Sequence, residues 1–281
     1  MKILKFITLA ATALCLANVA SAQEKLGLIK AFLVKGNVQL VENDTGAATP
    51  LKRGQEFSEG YTVITGDNST ALLLFSNGAS VNVTPNSKFD VTTFEQAAYD
   101  PALGSYLRLK KDPSMSTTDT SLAYGEIIGE VRKLDLEAGS SFTINTPVAS
   151  AGIRGTVWVV TYDVATGQFS TTNVNGDVFV ITGTGETISV PEGETHIILN
   201  VTDSGSSGPA SPEAIAKAET VAAQIERATP FEVTVTNNAT IVSQPNTTII
   251  TDESGTDPSQ SNPQPSEDPE QTTPKNVEEP A

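Results

Sequence analysis

Two carboxylates four residues apart are one candidate for a catalytic pair in this sequence. Glu126 and Glu130 lie in a β-like run that ends at Val131. On a strand, residues four apart share a face but stand about 13 Å apart. The carboxyl pairs of glycosidases require roughly 5–9.5 Å. A hydrolase that uses acidic residues is therefore the weakest of three functional hypotheses, and we expect this protein not to be an enzyme.

Ligands for soft metals are scarce. The chain has one Cys, one His and two Met, which is too few for a zinc or haem site, so we predict no metal site and no cofactor. His196, the only histidine, lies in a strand-like run, and this favours a hydrogen-bonded structural side chain over a general base. Calcium binding stays open, because turn oxygens at 43–44, 67–68 and 175–177 lack the spacing of an EF-hand.

The candidate binding residues are Arg154, Thr156, Trp158 and Tyr162. We predict that Arg154 is buried and clamps carboxylates or carbonyls, because a buried guanidinium must be paired; ligand binding is the alternative. Trp158, the only tryptophan, is expected in the core. An exposed Trp158 beside Tyr162 would instead form a platform for stacking carbohydrate.

Charge excludes one large class of partners. The chain has 17 Lys and Arg against 33 Asp and Glu, a net charge of −16 with histidine neutral. Such a chain repels nucleic-acid phosphates and anionic membrane surfaces. We therefore expect no nucleic-acid partner; the partner expected from the features described below is an envelope protein or a surface polysaccharide.

Residues 1–22 have the pattern of a secretory signal peptide. Lys2 and Lys5 precede the apolar run Phe6–Ala17, and Ala20-Ser21-Ala22 forms a small-residue cleavage site. The run is too short to span a bilayer, and no later stretch is long and apolar enough. We therefore predict an exported chain, periplasmic or secreted, without a transmembrane segment in its mature form. Cleavage would also remove Cys15, so no disulfide is expected.

Residues 251–281 are predicted to form a disordered acidic tail. This segment is rich in proline and carboxylates, has no aromatic residue, and has few apolar side chains. It cannot bury enough surface to offset the entropy of ordering.

Residues 25–202 are predicted to form an all-β domain with a solenoid-like or rolled core. Short runs of alternating apolar residues are separated by Gly, Asn, Asp and Pro, which is typical of many short strands. Asn77-Gly78 between two such runs is the strongest hairpin pattern. The predicted strands are 31–34, 38–40, 61–64, 71–75, 81–83, 126–131, 141–145, 156–162, 168–174, 178–182, 187–190 and 196–201.

Two other segments complete the predicted organisation. Residues 92–121 interrupt the strand pattern and are predicted to be a long insertion loop for binding, with an insertion that covers a sheet edge as the alternative. Residues 203–250 are predicted to hold a C-terminal helix and closing strands. Ser211 is the predicted N-cap of the helix, and Pro212 is its first residue. The apolar stripe of the helix is expected to dock on the β domain.

A weak internal repeat links the two ends of the β domain. Residues 34–40 (VKGNVQL) resemble residues 174–180 (VNGDVFV), and a second glycine follows each copy. We interpret the copies as stacked hairpin-plus-turn units around one core. Gly152 and Gly155 are expected at a tight bend or at a close approach between backbone segments. Thr146-Pro147 is expected where a strand ends. The full set of predicted structural residues is Gly36, Gly54, Gly78, Thr146, Pro147, Gly152 and Gly155.

An ordered series of blocks resembles the FecR-domain family. The first runs from Gly36 through Asn77-Gly78 to Ser87, and the second ends in Gly152-Ile153-Arg154-Gly155-Thr156, the string most characteristic of the family. The resemblance covers residues 30–201 and implies an all-β domain outside the cytoplasmic membrane. In the regulators that name the family, this domain receives a signal from an outer-membrane receptor and controls an anti-sigma segment.

The resemblance carries only part of that role to this chain. Those regulators have a cytoplasmic segment and a membrane helix. In this sequence the predicted signal peptide, residues 1–22, stands in their place. We therefore expect a non-catalytic extracytoplasmic interaction or scaffold module that binds a protein partner, not a transmembrane anti-sigma regulator. The alternative is a glycan- or cell-wall-binding module, based on Trp158, Tyr162 and the polar insertion.

Overall fold

The structure is a computed structural model that describes residues 27–99, 111–132 and 134–226, and two further strands at Phe231–Val235 and Ile241–Pro245. The signal peptide, Cys15 and the acidic tail predicted from the sequence lie outside the described residues.

The all-β prediction with one C-terminal helix is confirmed. The described residues form seventeen strands and the helix α1 (Pro212–Glu226). The strands are β1 Ile29–Lys35, β2 Val38–Glu42, β3 Ala48–Pro50, β4 Glu56–Phe57, β5 Tyr61–Thr65, β6 Thr70–Phe75, β7 Ser80–Val83, β8 Lys88–Gln96, β9 Ser116–Val131, β10 Ser141–Asn145, β11 Ala149–Asp163, β12 Gln168–Thr182, β13 Thr187–Val190, β14 Glu194–Ile198, β15 Ser206–Pro209, β16 Phe231–Val235 and β17 Ile241–Pro245.

Strands β1 to β15 form one sheet that folds onto itself as two limbs. Limb A has the order β4-β1-β6-β7-β9-β11-β12-β14-β15 and uses the second halves of β9 and β11 and the first half of β12. Limb B has the order β3-β2-β5-β8-β9-β10-β11-β12-β13 and uses the remaining halves. The rolled alternative therefore describes the core.

The chain changes limb at sharp corners, and glycines with positive φ occupy most of them. Gly36 joins β1 to β2, and Gly125, Gly155 and Gly176 lie inside β9, β11 and β12, with φ between 66° and 96°. Glycine adopts this conformation without the steric penalty of a Cβ. The repeat predicted from the sequence lies at two of these corners, Gly36 and Gly176. Its copies turn strands from one limb to the other and do not form hairpins.

Buried hydroxyl groups bond the backbone at these corners. Ser69 Oγ accepts a hydrogen bond from Asn37 N at 2.8 Å, and Thr65 Oγ1 accepts one from Ser87 N at 3.0 Å. Ser87 Oγ accepts one from Glu126 N at 3.0 Å. A corner removes these amides from the regular ladder, and an unpaired buried amide would cost about 1–3 kcal/mol. The side chains of Ser69, Thr65 and Ser87 supply the missing acceptors.

The main core lies between the two limbs. Phe142 of limb B packs against Phe75 and Trp158 of limb A, with ring centroids 6.0 and 6.2 Å apart. Trp158 is fully buried, and its indole fits because Gly129 lies opposite it. A Cβ at Gly129 would stand 2.4 Å from Trp158 Cζ2.

Helix α1 covers the outer face of limb A, as the sequence predicts. Ser211 Oγ caps it by accepting a hydrogen bond from Ala214 N at 3.1 Å. Ala218, Val221 and Ile225 are buried against a second apolar cluster that includes Ile128. Within the described ranges, no helix has the length and apolar character needed to cross a membrane.

The predicted insertion loop at 92–121 is wrong at both ends. Strand β8 continues to Gln96, and β9 begins at Ser116, because Thr93–Gln96 and Ser116–Asp119 pair with each other. Residues 100–110 lie outside the described residues. The predicted closing strands are also corrected: β16 and β17 pair only with each other, in a separate two-stranded sheet, and residues 249–250 are not described.

Most of the predicted structural residues have the expected geometry. Gly54 and Gly78 adopt φ of 81° and 90°, and Gly78 lies in the turn of the β6–β7 hairpin. Strand β10 ends before Thr146-Pro147, where Thr146 N donates to Ala149 O at 2.9 Å. The proline therefore lies in the tight turn from β10 to β11 rather than at a sheet edge.

We predict that Gly125→Ala destabilises the fold much more than Gly139→Ala. Both glycines have φ near 90°, so each alanine costs about 1 kcal/mol of backbone strain. A Cβ at Gly125 would also stand 2.6 Å from Ser87 Cα, whereas one at Gly139 meets nothing within 4 Å. Urea unfolding should show a loss of about 3 kcal/mol or more for Gly125→Ala. Equal losses in the two variants would contradict the close packing of the corners.

Candidate interaction surface

Arg154 is exposed on the outer face of limb B, and not buried as the sequence predicted. It is the last residue of β11 before the corner at Gly155, whose φ is 66°. Its guanidinium carbon lies 4.5 Å from the ring centroid of Phe179 on β12. Stacking of this kind contributes about 0.5–1 kcal/mol at an exposed site. Phe179 thus fixes the guanidinium in place of the predicted clamp on carboxylates or carbonyls.

A shallow cavity of about 350 Å³ opens beside Arg154, and we call it the Gly152 cleft. Leu136 and Ile181 at its rim are 50% and 41% exposed, which is unusual for large aliphatic side chains clustered together. Its lining residues are Leu134, Leu136, Ser140, Ser141, Phe142, Thr143, Gly152, Ile153, Arg154, Phe179, Ile181 and Thr187.

Gly152 lacks both structural reasons that the sequence suggested. It is absent from the glycines with positive φ, and a Cβ added to it would meet nothing within 4 Å. The prediction of a tight bend or close approach is therefore wrong for Gly152, although it is right for Gly155. On the outer face, the missing side chain leaves the floor of the cleft open between Thr143 and Phe179, its neighbours in register.

Thr156 is buried, and its side chain holds neighbouring strands together. Its hydroxyl donates to the carbonyl of Asn175, while Val157 N donates to Asn175 Oδ1 at 3.0 Å. These bonds join the corners of β11 and β12. They orient the Arg154 segment, but they leave Thr156 with no surface for a ligand.

The carbohydrate platform proposed for Trp158 and Tyr162 is not formed. Trp158 is 0% exposed and Tyr162 is 7% exposed. Both side chains belong to the core between the limbs, because their positions on β11 face inward. The expectation that Trp158 lies in the core is confirmed.

The other titratable residues singled out from the sequence have structural contacts. His196 is 2% exposed, and its ring nitrogens lie 2.9 Å from Ser207 Oγ and Ser204 O. Glu126 lies 3.6 Å from Lys217 of α1, and Glu130 lies 2.7 Å from Arg132. Burial raises the pKa of Glu130, although Arg132 opposes this shift.

No group of three or more His, Cys, Asp or Glu within the described segments is arranged to bind a metal ion.

A buried carboxylate that the sequence analysis missed lies at the start of β9. Asp112 is 1% exposed and accepts a hydrogen bond from Ser116 Oγ at 2.6 Å. Ser116 Oγ in turn accepts one from Asn77 Nδ2 at 3.2 Å, and Ser116 N donates to Ser140 Oγ at 3.0 Å. Burial raises the pKa of Asp112, although its hydrogen bonds oppose the shift. The network ties the β6–β7 turn to β9.

Sequence reasoning found Arg154 but missed the apolar side chains around it. The sequence pattern predicts Phe179 and Ile181 only as strand residues and indicates no role for Leu136. Their alternation in β12 places Phe179 and Ile181 on the face opposite Val178 and Val180, which are buried. This alternation shows that the two side chains share a face of the sheet, but it does not show whether another element covers that face.

Comparison with known proteins finds one family that matches part of this chain. Residues 61–184 match the FecR protein family, which confirms the resemblance. No curated protein matches the chain.

Two crystal structures of a candidate anti-sigma factor from Parabacteroides distasonis are similar, each at 12% identity over 55% of this chain, with TM-scores of 0.42 and 0.41. The match spans 62% of that protein's chain.

We predict that Asp112→Asn removes a pH-dependent cost to folding. Because the folded pKa of Asp112 is raised, the native state binds the proton more tightly than the unfolded state. The unfolding free energy should therefore fall as pH rises from the ordinary aspartate pKa through the raised one. Urea unfolding between about pH 3.5 and 7.5 should show Asp112→Asn gaining stability relative to the natural protein over this window. A difference that does not change with pH would contradict the prediction.

Proposed function

We propose that the protein, whose residues 61–184 match the FecR protein family, is an extracytoplasmic interaction module that binds a protein partner. The partner contacts Arg154 and the Gly152 cleft on the outer face of limb B. Helix α1 already covers the corresponding face of limb A. The two faces of the folded sheet thus have different roles.

The observation that carries this proposal is the exposed apolar rim beside a fixed cation. Leu136 and Ile181 are exposed, and Arg154 is stacked on Phe179. Arginine and aromatic residues are enriched at the centres of protein interfaces, and a preorganised guanidinium loses little entropy on binding. Residues of the string Gly152–Thr156 line part of the cleft, and neighbouring segments line the rest.

We also propose that the protein is exported and non-catalytic. The basic start, apolar run and cleavage site in residues 1–22 support export. The burial of His196, which is 2% exposed, and the ion pairs of Glu126 with Lys217 and of Glu130 with Arg132 support a role without catalysis. On this proposal the chain is not a transmembrane anti-sigma regulator. The glycan-binding alternative loses its support, since its aromatic platform is buried.

Site-specific crosslinking in intact cells tests the proposed function. A photoreactive phenylalanine analogue replaces Thr187 at the cleft or, as the control, the exposed Glu219 on α1. We expect a defined envelope protein to be captured from Thr187 and not from Glu219. Capture should fall about tenfold or more when Arg154→Glu is added, because the guanidinium contact is lost.

Two outcomes would contradict the proposal. One is capture of the same proteins from both positions, and the other is capture from Thr187 that Arg154→Glu leaves unchanged. Thermal unfolding of each variant confirms that the fold is retained, so that loss of capture reports on the surface.

A further inference from the structure

We propose that the Gly152 cleft receives one apolar side chain of an extended peptide segment, and that a neighbouring carboxylate of that segment pairs with Arg154. This inference rests on the proposed protein-binding function and defines the chemistry of the partner. It also explains why a glycine stands at Gly152, because a side chain can enter the cleft only if the floor of the cleft is open.

The size and openness of the cleft favour a peptide over a free small molecule. Its volume of about 350 Å³ is at the lower end of the roughly 300–1,000 Å³ found for small-molecule sites. Such sites bury most of their ligand, whereas the rim here is exposed at Leu136 and Ile181. A surface recess of this kind fits an anchor side chain whose backbone remains outside.

The charge of the cleft favours a single carboxylate. Arg154 is the one charged residue among those that line it, and among the described residues the ion pairs do not include Arg154. Stacking on Phe179 occupies one face of the guanidinium, and the N–H edge of a guanidinium suits a bidentate contact with a carboxylate. A single cation matches the charge of a carboxylate better than that of a phosphate dianion.

The chain offers a matched pair of substitutions for testing the cleft. Gly152→Val places a side chain on its floor, and Gly208→Val places the same side chain on β15 of limb A. A Cβ meets nothing within 4 Å at either position, and neither glycine has a positive φ. Both variants should therefore fold, and equal thermal midpoints would verify this.

Selection from a phage-displayed library of random peptides on the full chain tests the inference. We expect enriched peptides to place an aliphatic or aromatic residue within about two positions of Asp or Glu, as neighbouring side chains on one segment require. Their affinity should fall about tenfold or more in Gly152→Val and in Arg154→Gln, and should not change in Gly208→Val. Decanoate, a carboxylate with an alkyl chain, should not displace them at millimolar concentration.

The inference is overturned if no peptide is enriched, if the enriched peptides lack an acidic residue, or if they bind Gly152→Val as well as the natural protein. Displacement by decanoate would also overturn it, in favour of a fatty-acid site. Crosslinking from Thr187 separates the two proposals: capture without peptide selection leaves the protein-binding function standing, whereas absence of capture removes that function itself.

Discussion

The structure depends on how strands turn from one limb to the other without leaving buried backbone groups unpaired. Gly125 and Gly176 provide the positive φ, and the neighbouring strand approaches so closely that a Cβ would collide with it. Ser87, Thr65 and Ser69 provide acceptors for amides that the turn removes from the ladder. These acceptor side chains are themselves buried, so the corners balance their polar groups within the protein.

The same corners determine where the functional groups point. Thr156 and Asn175 join the corners of β11 and β12, so that Arg154 emerges on the outer face while Trp158 enters the core. One segment thereby packs into the core on one side of Gly155 and, on our proposal, contacts the partner on the other.

Local features of the fold were predictable from the sequence, and relations between distant segments were not. Apolar alternation located the strands, and the glycines at 36, 54, 78 and 155 were recognised as turn residues. The alternation does not say that β11 changes limbs, nor that Arg154 stacks on Phe179, since these depend on the pairing of β11 with β12. The prediction for Gly152 is wrong because a glycine with open space around its Cα looks the same in sequence as one that the backbone requires.

Amide hydrogen exchange at the corners is the most direct test of this account. It predicts that the amides bonded to buried side chains exchange only through global unfolding, with protection equal to that of the central strands. Exchange as fast as that of exposed turn amides, such as Ala47 and Ala165, would show that the corners open independently and would contradict the account. The corner amides to be measured are those of Asn37, Ser87, Glu126 and Val157.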